Sequence, residues 1–232
     1  MLHKIAVPPR GTRDPFDYMR PEVLDAKLAA LRAAGFRSVA LDSLLESRAP
    51  ADHTFAITFD DAYRNVWQNA LPILARHQVQ AIQFVVAAHL GGQNNWDMAE
   101  GEVAEDLMDV AQLRDWLAAG HSIGSHSLNH RVLKRLSEAD AREEIIGSRK
   151  RLEDTFGVAV RHFCYPSGKF SPMVHDLVRE AGYQTACTVE YGVNPPAQDR
   201  FALRRISPLW AAELLAKASH RLRRKLGLSQ GS

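Results

Sequence analysis

The sequence predicts an α/β protein, built as a distorted or incomplete (β/α) barrel of about seven to eight strands. Short apolar runs rich in strand-forming residues alternate with segments of helical periodicity from one end of the chain to the other, which is typical of a mainly parallel sheet. An open doubly wound sheet of this length would have fewer strands. The 232 residues fit one domain with one core, and no repeat or linker divides them.

The predicted elements follow one another in regular order. Apolar runs predict strands at residues 38–41, 55–59, 81–86, 121–125, 162–165, 185–189 and 203–206, with a further short strand near Leu2. Helical periodicity predicts helices at 21–34, 66–77, 110–119, 138–156 and 172–181, several of which end at a glycine. The longest irregular segment, residues 91–109, is expected to line substrate at a strand end or, as an alternative, to be a solvated excursion.

Composition disfavours several classes of protein. The net charge of +2 gives no reason to expect a nucleic-acid surface. The first residues do not resemble a secretory signal, and no apolar run is long enough to span a bilayer. The two cysteines, Cys164 and Cys187, lack the spacing of a metal or redox pair, so we expect buried free thiols and a cytoplasmic protein.

Two adjacent carboxylates, Asp60 and Asp61, end the apolar run at 55–59. In a barrel, the carboxyl ends of the strands face the active site. Neighbouring strand side chains point to opposite faces, so both acids can address one site only if the chain leaves strand geometry here. Crowded carboxylates favour a cation between them or a raised pKa on one of them, although the pair could also cap the following helix.

Two histidines, His126 and His130, follow the predicted strand at 121–125. Neutral imidazoles at this spacing can bind one zinc-like ion. Together with an Asp from another strand end they would provide three ligands, which leaves a coordination position for water or substrate. A third strand runs into the turn Tyr165-Pro166-Ser167-Gly168, which can direct backbone N–H groups at a developing oxyanion.

These motifs resemble a known family. Thr58-Phe59-Asp60-Asp61, His126-Ser127-Leu128-Asn129-His130 and Tyr165-Pro166-Ser167-Gly168 are similar to the first three motifs of the NodB-like polysaccharide deacetylases, carbohydrate esterase family 4. The Asn95-Trp96-Asp97 loop, residues 113–121 and the opening His3-Lys4-Ile5 also resemble bacterial members. The resemblance covers nearly the whole chain in the right order, and it implies a distorted (β/α) barrel.

The resemblance also implies an activity: metal-dependent removal of N-acetyl groups from an N-acetylhexosamine-containing glycan or glycan precursor, by attack of a metal-bound water. Asp61, His126 and His130 would bind a divalent ion, usually zinc, with Co²⁺, Ni²⁺, Mn²⁺ and Fe²⁺ as alternatives. Asp60 would act as general base, and the backbone N–H of Ser167 would support the oxyanion. The substrate contacts expected on the same basis are Tyr165, Pro166, Asn95 and Trp96.

Two positions depart from the family pattern. Many members have an Arg two residues before the Pro of the third motif, where it orients the base, and this chain has Cys164 there. Arg204 or Arg205, in the last predicted strand, could replace it, and we favour Arg205. The late Leu-x-x-His-like motif, whose His often serves as general acid, is not recognisable, and His3 is a candidate for that role.

Several alternatives stay open. Residues 120–124 match the G-x-S-x-G pattern of a serine esterase around Ser122, but they follow a helix and run into a strand, the reverse of a nucleophile elbow. An O-acetyl esterase or a hydrolase of a non-sugar amide would use the same metal site. A non-catalytic glycan-binding protein is disfavoured because the metal ligands and the base are all present.

Residues 209–232 predict a basic amphipathic helix and tail, with apolar residues at helical spacing beside a cluster of positive charges. We expect a final helix packed on the barrel with a solvated basic end. The alternative is peripheral contact with an anionic membrane surface, which would suit an enzyme that acts on lipid-linked glycan precursors.

Overall fold

A computed structural model describes residues 1–43 and 53–207 of the chain. Its strands, in chain order, are β1 (Lys4–Ile5), β2 (Tyr18–Met19), β3 (Arg37–Ser38), β4 (Thr54–Phe55), β5 (Ile57–Phe59), β6 (Ala81–Val85), β7 (Ser122–Ser125), β8 (His162–Cys164), β9 (Thr185–Tyr191) and β10 (Leu203–Arg205). The main sheet has six parallel strands in the order β10-β9-β8-β7-β6-β5. Because consecutive strands are neighbours and parallel, their carboxyl ends meet at one edge.

Within the described residues the main sheet has six strands, so the expected seven to eight are not confirmed. The predicted strand near Leu2 becomes β1, which pairs with β2, and the one at 38–41 is reduced to β3, which pairs with β4 outside the main sheet. The first two residues reach both edges of the main sheet. Leu2 pairs with Phe59 of β5, and the amino group of Met1 donates to the carbonyl of Ile206 after β10 (2.9 Å). The sheet is therefore curled, as expected of an incomplete barrel, but with six strands.

The helices lie close to their predicted positions. They cover Pro21–Ala33, Leu71–His77, Asn95–Met98, Val110–Ala118, Glu138–Arg142, Ser148–Phe156 and Pro172–Glu180, with π-helical turns at Val66–Ala70 and Glu143–Gly147 and 3₁₀ turns at Pro15–Asp17, Leu133–Arg135 and Pro166–Gly168. The π-helical turns interrupt two of the predicted helices, 66–77 and 138–156. At the first interruption, Pro72 has no amide hydrogen with which to continue the α-helical pattern.

Apolar side chains cover both faces of the sheet. All five residues of β6 are buried, as in a parallel strand that is covered on both sides. The helices pack on one face; Pro172–Glu180, for example, buries Val174, Leu177 and Val178 at helical spacing. A smaller cluster on the other face includes Cys164 and Cys187, which are free and buried as predicted.

The helices within residues 1–43 and 53–207 include none that is long and apolar enough to cross a membrane. The basic helix and tail predicted at 209–232 lie outside the described residues. Contact of that segment with a membrane, and the cytoplasmic location, therefore stay predictions.

Candidate active site

The paired aspartates follow β5 at the edge where the strands end. Asp61 and Ala62 have φ values of +71° and +63°, so the chain leaves strand geometry immediately after Asp60. Left-handed backbone is costly for residues with a side chain and is found mainly where a site requires it. The turn brings both carboxylates towards the end of β7, as the two-acid motif predicted, and both are buried.

The two histidines follow β7 and converge on Asp61. Nε2 of His126 and Nε2 of His130 each lie 3.4 Å from Oδ1 of Asp61. Ser127 and His130 have φ values of +65° and +59°, which turn the second imidazole back towards the first. The ligand atoms of these two histidines and Asp61 all lie within 4.8 Å of one another. The structure therefore brings together the three residues that were predicted as metal ligands.

The protonation of the cluster suits a metal ion. His126 donates its Nδ1–H to the carbonyl of Cys164 (2.7 Å), because a carbonyl can only accept, and this leaves the lone pair on Nε2 facing Asp61. Burial lowers the pKa of His126 to about 4, and burial followed by the charge of His126 lowers the pKa of His130 well below its usual value. Both imidazoles are therefore neutral near pH 7 and free to act as ligands.

Asp61 completes this fit. Among the described residues, its buried Oδ1 has no hydrogen-bond partner. Burial, followed by the charge of Asp60, raises the pKa of Asp61 well above its usual value. A divalent cation at this point would satisfy the orphaned oxygen and offset the crowding of the two carboxylates. The residues present thus fit the metal that the sequence motif implies.

A second group of ligand atoms, from Asp60, His126 and Cys164, is equally close together. Both oxygens of Asp60 are already bonded to Arg205. Burial also raises the pKa of the Cys164 thiol well above its usual value, which disfavours the thiolate that metals bind. The Asp61 cluster is therefore the better metal site.

Arg205 holds Asp60 through two parallel hydrogen bonds of 2.7 Å each, Nη1 to Oδ1 and Nη2 to Oδ2. The guanidinium is itself fixed, because Nε donates to the carbonyl of Thr188 (2.7 Å) and Nη2 lies 3.2 Å from Sγ of Cys164. Burial alone would raise the pKa of Asp60, but the charge and hydrogen bonds of Arg205 outweigh it and hold that pKa well below its usual range. Arg204, the other arginine considered, is exposed and pairs with Glu190.

His3 reaches the site from the residue before β1. Its Nε2 lies 3.8 Å from Oδ2 of Asp60, and its Nδ1 lies 3.8 Å from Oδ1 of Asp17. The side chain is 22% exposed, so it borders both the buried base and the solvent. The structure thus brings the proposed general acid beside the proposed general base.

The remaining expected site residues fall into two groups. Trp96 stacks on His130 with a ring-centre distance of 4.7 Å, and Asn95 is exposed next to it. Ser167 is exposed, with a left-handed φ of +54°, on the turn after β8. Tyr165 and Pro166 are buried, and the Tyr165 hydroxyl donates to the carbonyl of Phe201 (2.9 Å). Their contact with substrate stays a prediction.

One supporting residue, Glu144, was missed by sequence reasoning. Its carboxylate is 2% exposed and accepts hydrogen bonds from the backbone N–H groups of Leu128 (3.0 Å) and Asn129 (2.8 Å) and from the Asn129 side chain (2.9 Å). These bonds fix the loop between the two histidines. The available signal was a charged residue on the buried face of the predicted helix 138–156, three residues after the buried Ala141.

Ser122, the nucleophile of the serine-esterase alternative, begins β7, at the end opposite His126. Its carbonyl accepts a hydrogen bond from the Trp116 indole (2.9 Å). A nucleophile elbow would place the serine after a strand, so the geometry disagrees with that alternative.

Comparison with known proteins adds a family model and sequence relatives. A family model described as polysaccharide deacetylase matches residues 47–186. The chain is 25% identical to YxkH of Bacillus subtilis over 163 residues, which are 70% of this chain and 54% of that protein. It is 26% identical to a poly-beta-1,6-N-acetyl-D-glucosamine N-deacetylase of Staphylococcus aureus over 155 residues, 65% of this chain and 52% of that one. The chain thus spans about half the length of the curated relatives it matches.

Solved structures share the fold over nearly the whole chain. IcaB from Ammonifex degensii matches with a TM-score of 0.80 and 22% identity, over 93% of this chain and 94% of that one. The Streptococcus pyogenes deacetylase PplD, in complex with acetate, matches with a TM-score of 0.77 and 21% identity over the same shares. At these identities the likeness is one of fold.

Proposed function

The chain belongs to the polysaccharide deacetylase family, and we propose that it is a metal-dependent hydrolase that removes N-acetyl groups from an N-acetylhexosamine-containing glycan or glycan precursor. The observation that carries this proposal is the meeting of Asp61, His126 and His130 beside a carboxylate, Asp60, that a buried arginine holds in place. A binding protein would have no need of an oriented base next to a three-ligand site.

The metal would be held by Asp61, His126 and His130, and zinc is the ion we expect, with Co²⁺, Ni²⁺, Mn²⁺ and Fe²⁺ as alternatives. When bound, it would polarise the acetyl carbonyl and make the attacking water more acidic. The neutral imidazoles and the unpartnered Oδ1 of Asp61 support this assignment.

Asp60 is proposed to accept the proton of the attacking water. Its low pKa keeps the carboxylate ionised, and therefore free of a proton of its own, throughout the neutral range. Arg205 occupies one side of both oxygens and thereby sets the direction in which Asp60 can accept a proton. The small Cys164 side chain leaves room beside Asp60 for this arginine. The arginine thus belongs to β10, whereas in many family members it stands at the position of Cys164 in β8.

His3 is proposed to donate a proton to the leaving amine. An amine leaves an amide only after its nitrogen is protonated, so the reaction needs an acid on the sugar side of the bond. Nε2 of His3 lies 3.8 Å from Asp60, and Asp17 faces the other ring nitrogen at 3.8 Å. Base and acid would therefore act at neighbouring atoms.

The exposed Ser167 turn and the Trp96 loop are proposed to contact the substrate. The backbone N–H of Ser167 would donate to the developing oxyanion. Trp96, stacked on His130, would form an apolar wall for the acetyl methyl group or a sugar face, with the exposed Asn95 beside it. The substrate class follows the Staphylococcus aureus relative, whose name specifies poly-beta-1,6-N-acetyl-D-glucosamine; a lipid-linked precursor is an alternative carrier.

The test is a comparison of substrates. Zinc- or cobalt-loaded protein is given a β-1,6-linked N-acetylglucosamine oligomer, a lipid-linked N-acetylglucosamine precursor, an O-acetylated glycan and acetyl-lysine, and acetate release is measured. We expect release from one of the first two, unchanged by Ser122→Ala. Acetate from the O-acetylated glycan alone would make the protein an esterase, and acetate from acetyl-lysine alone would make it an amidohydrolase of another substrate.

A further inference from the structure

Lys4 is a buried cation that the proposed reaction does not use. The residue is 1% exposed, although lysine is among the residues least often fully buried. Among the residues that the structure describes, its Nζ has no hydrogen-bond partner. A charge in such a position requires some other compensating contact.

Two tyrosine rings provide that contact. Nζ lies 4.7 Å from the ring centre of Tyr18 and 4.7 Å from that of Tyr63, within cation–π distance of both. The hydroxyl group of Tyr18 donates to Glu105 (2.7 Å), and the hydroxyl group of Tyr63 donates to Asp97 (2.8 Å). Each ring is therefore also held at its far end. The ammonium is thus clamped between two rings that are themselves fixed.

The clamp joins two separate parts of the site. On one side, Tyr18 is the register partner of Lys4 in the ribbon formed by β1 and β2. This ribbon also carries His3 and Asp17, each one residue earlier. On the other side, Tyr63 stands two residues after Asp61, in the turn that carries the base and a metal ligand.

Backbone hydrogen bonds already anchor this ribbon on both sides of Lys4. The N–H of Asp60 donates to the carbonyl of Leu2 (2.9 Å), and the N–H of Ile5 donates to Oδ1 of Asn65 (2.9 Å). Between these two anchors, the Lys4 side chain ties the ribbon to the ring of Tyr63. His3 lies between the same two anchors, with its Nε2 3.8 Å from Oδ2 of Asp60.

We propose that Lys4 is a positioning residue for proton donation to the leaving group: its ammonium, clamped by Tyr18 and Tyr63, fixes the imidazole of His3 beside Asp60. This inference rests on the proposed function, in which His3 is the general acid. In that reaction water oxygen bonds to the acetyl carbon and gives a proton to Asp60, the C–N bond breaks, and the amine nitrogen takes the proton of His3.

Two substrates with different leaving groups can distinguish a positioning role of Lys4 from a structural one. A 4-nitrophenolate leaves without being protonated, so 4-nitrophenyl acetate needs the metal ligands and the base but not His3. An N-acetylglucosamine oligomer needs all of them. A displaced His3 should therefore slow release from the amide and spare the ester.

The experiment compares Lys4→Met, which keeps the length and loses the charge, with Lys4→Arg, which keeps a cation for the rings. We expect Lys4→Met to lower kcat on the oligomer by about tenfold to a hundredfold at a similar KM, with ester hydrolysis within about twofold of wild type. Lys4→Arg should recover most of the loss. Thermal unfolding and zinc content are measured for each variant and should match wild type. If Lys4→Met fails to fold, Tyr18→Leu is used instead and should give the same selective loss on the oligomer.

Three results would overturn the proposal. Equal losses on oligomer and ester would assign Lys4 to the scaffold of the metal site. Full activity of folded Lys4→Met on the oligomer would remove any positioning role. A wild-type protein that cleaves the ester and no acetylated amide would overturn the proposed function, and this inference with it; that outcome is recognised before any variant is made.

Discussion

Arg205 and Asp60 are 145 positions apart in the chain, yet they form two hydrogen bonds of 2.7 Å in the buried interior of the site. The pair links β10, at one edge of the main sheet, to the end of β5, at the other edge. It therefore contributes both to the closure of the curled sheet and to the orientation of the proposed base. A variant that breaks the pair should affect stability and activity together.

Arg205→Met should lower the free energy of unfolding by about 3–5 kcal/mol, because it leaves the Asp60 carboxylate buried without its partner. Adding Asp60→Asn should recover part of that loss, since the uncompensated charge is removed. Urea denaturation measures both effects. The matched control is Arg204→Met, which removes an exposed pair with Glu190 and should cost about 1 kcal/mol or less. Equal effects of the two arginine variants would contradict the account.

Glu144→Gln should weaken zinc binding by about 10- to 100-fold, because one neutral amide oxygen would accept the N–H groups of Leu128 and Asn129 more weakly than the carboxylate does, and the NH₂ group would face the side-chain amide of Asn129. The loop between His126 and His130 would lose its fixed position. Competition with a fluorescent zinc chelator gives the affinity. Glu143→Gln, the exposed neighbour, is the control and should bind zinc as the wild type does; no difference between the variants would exclude this role.

Gly168→Ala should destabilise the turn that carries Ser167 by more than the backbone strain of a left-handed alanine. Gly168 has a φ of +64°, and a Cβ there would overlap Val189, whereas Gly157 has a φ of +67° and open space around it. Gly157→Ala should therefore cost about 1–2 kcal/mol of stability and leave activity intact. Gly168→Ala should cost more and also reduce kcat. Thermal unfolding and acetate release test the pair, and similar behaviour of both variants would count against the close packing on Val189.

The metal-free protein should lose stability as the pH falls from about 6.5 towards 4, in part through His121, whose pKa burial lowers from 6.5 to about 4. In this interval the unfolded chain binds the proton and the folded protein does not, so stability rises with pH. His121→Asn keeps an acceptor for the N–H of Ala81 (3.3 Å in the wild type) but does not titrate. It should reduce the dependence of unfolding free energy on pH between 4.5 and 7.5; an unchanged slope would refute the assignment.

That the three proposed metal ligands lie close together could be predicted, because each belongs to a short local motif at a strand end. The carboxyl ends of parallel strands meet at one edge, so Asp61, His126 and His130 had to come close together if the elements were right. The left-handed residues that complete the geometry, Asp61 among them, have no sequence signal of their own.

The partners of these motifs were harder to predict, because they come from distant segments. Strand alternation indicates that only one of Arg204 and Arg205 faces the interior, but a register shift between β9 and β10 decides which. Glu144 and Lys4 carry charges at positions where burial is unexpected, and their partners lie in other segments. Seven to eight strands in one sheet are not confirmed within residues 1–43 and 53–207, because a short apolar run does not reveal the sheet to which it belongs.

The central claim is that a metal held by Asp61, His126 and His130 and a base, Asp60, together remove acetyl groups from an amino sugar. The most direct measurement is acetate release from a β-1,6-linked N-acetylglucosamine oligomer by chelator-stripped protein, before and after one equivalent of zinc, beside zinc-loaded Asp60→Asn. We predict no release without zinc, release with it, and a loss of about 100-fold or more in Asp60→Asn at unchanged zinc content. Release that is independent of zinc, or that survives in Asp60→Asn, would contradict the account.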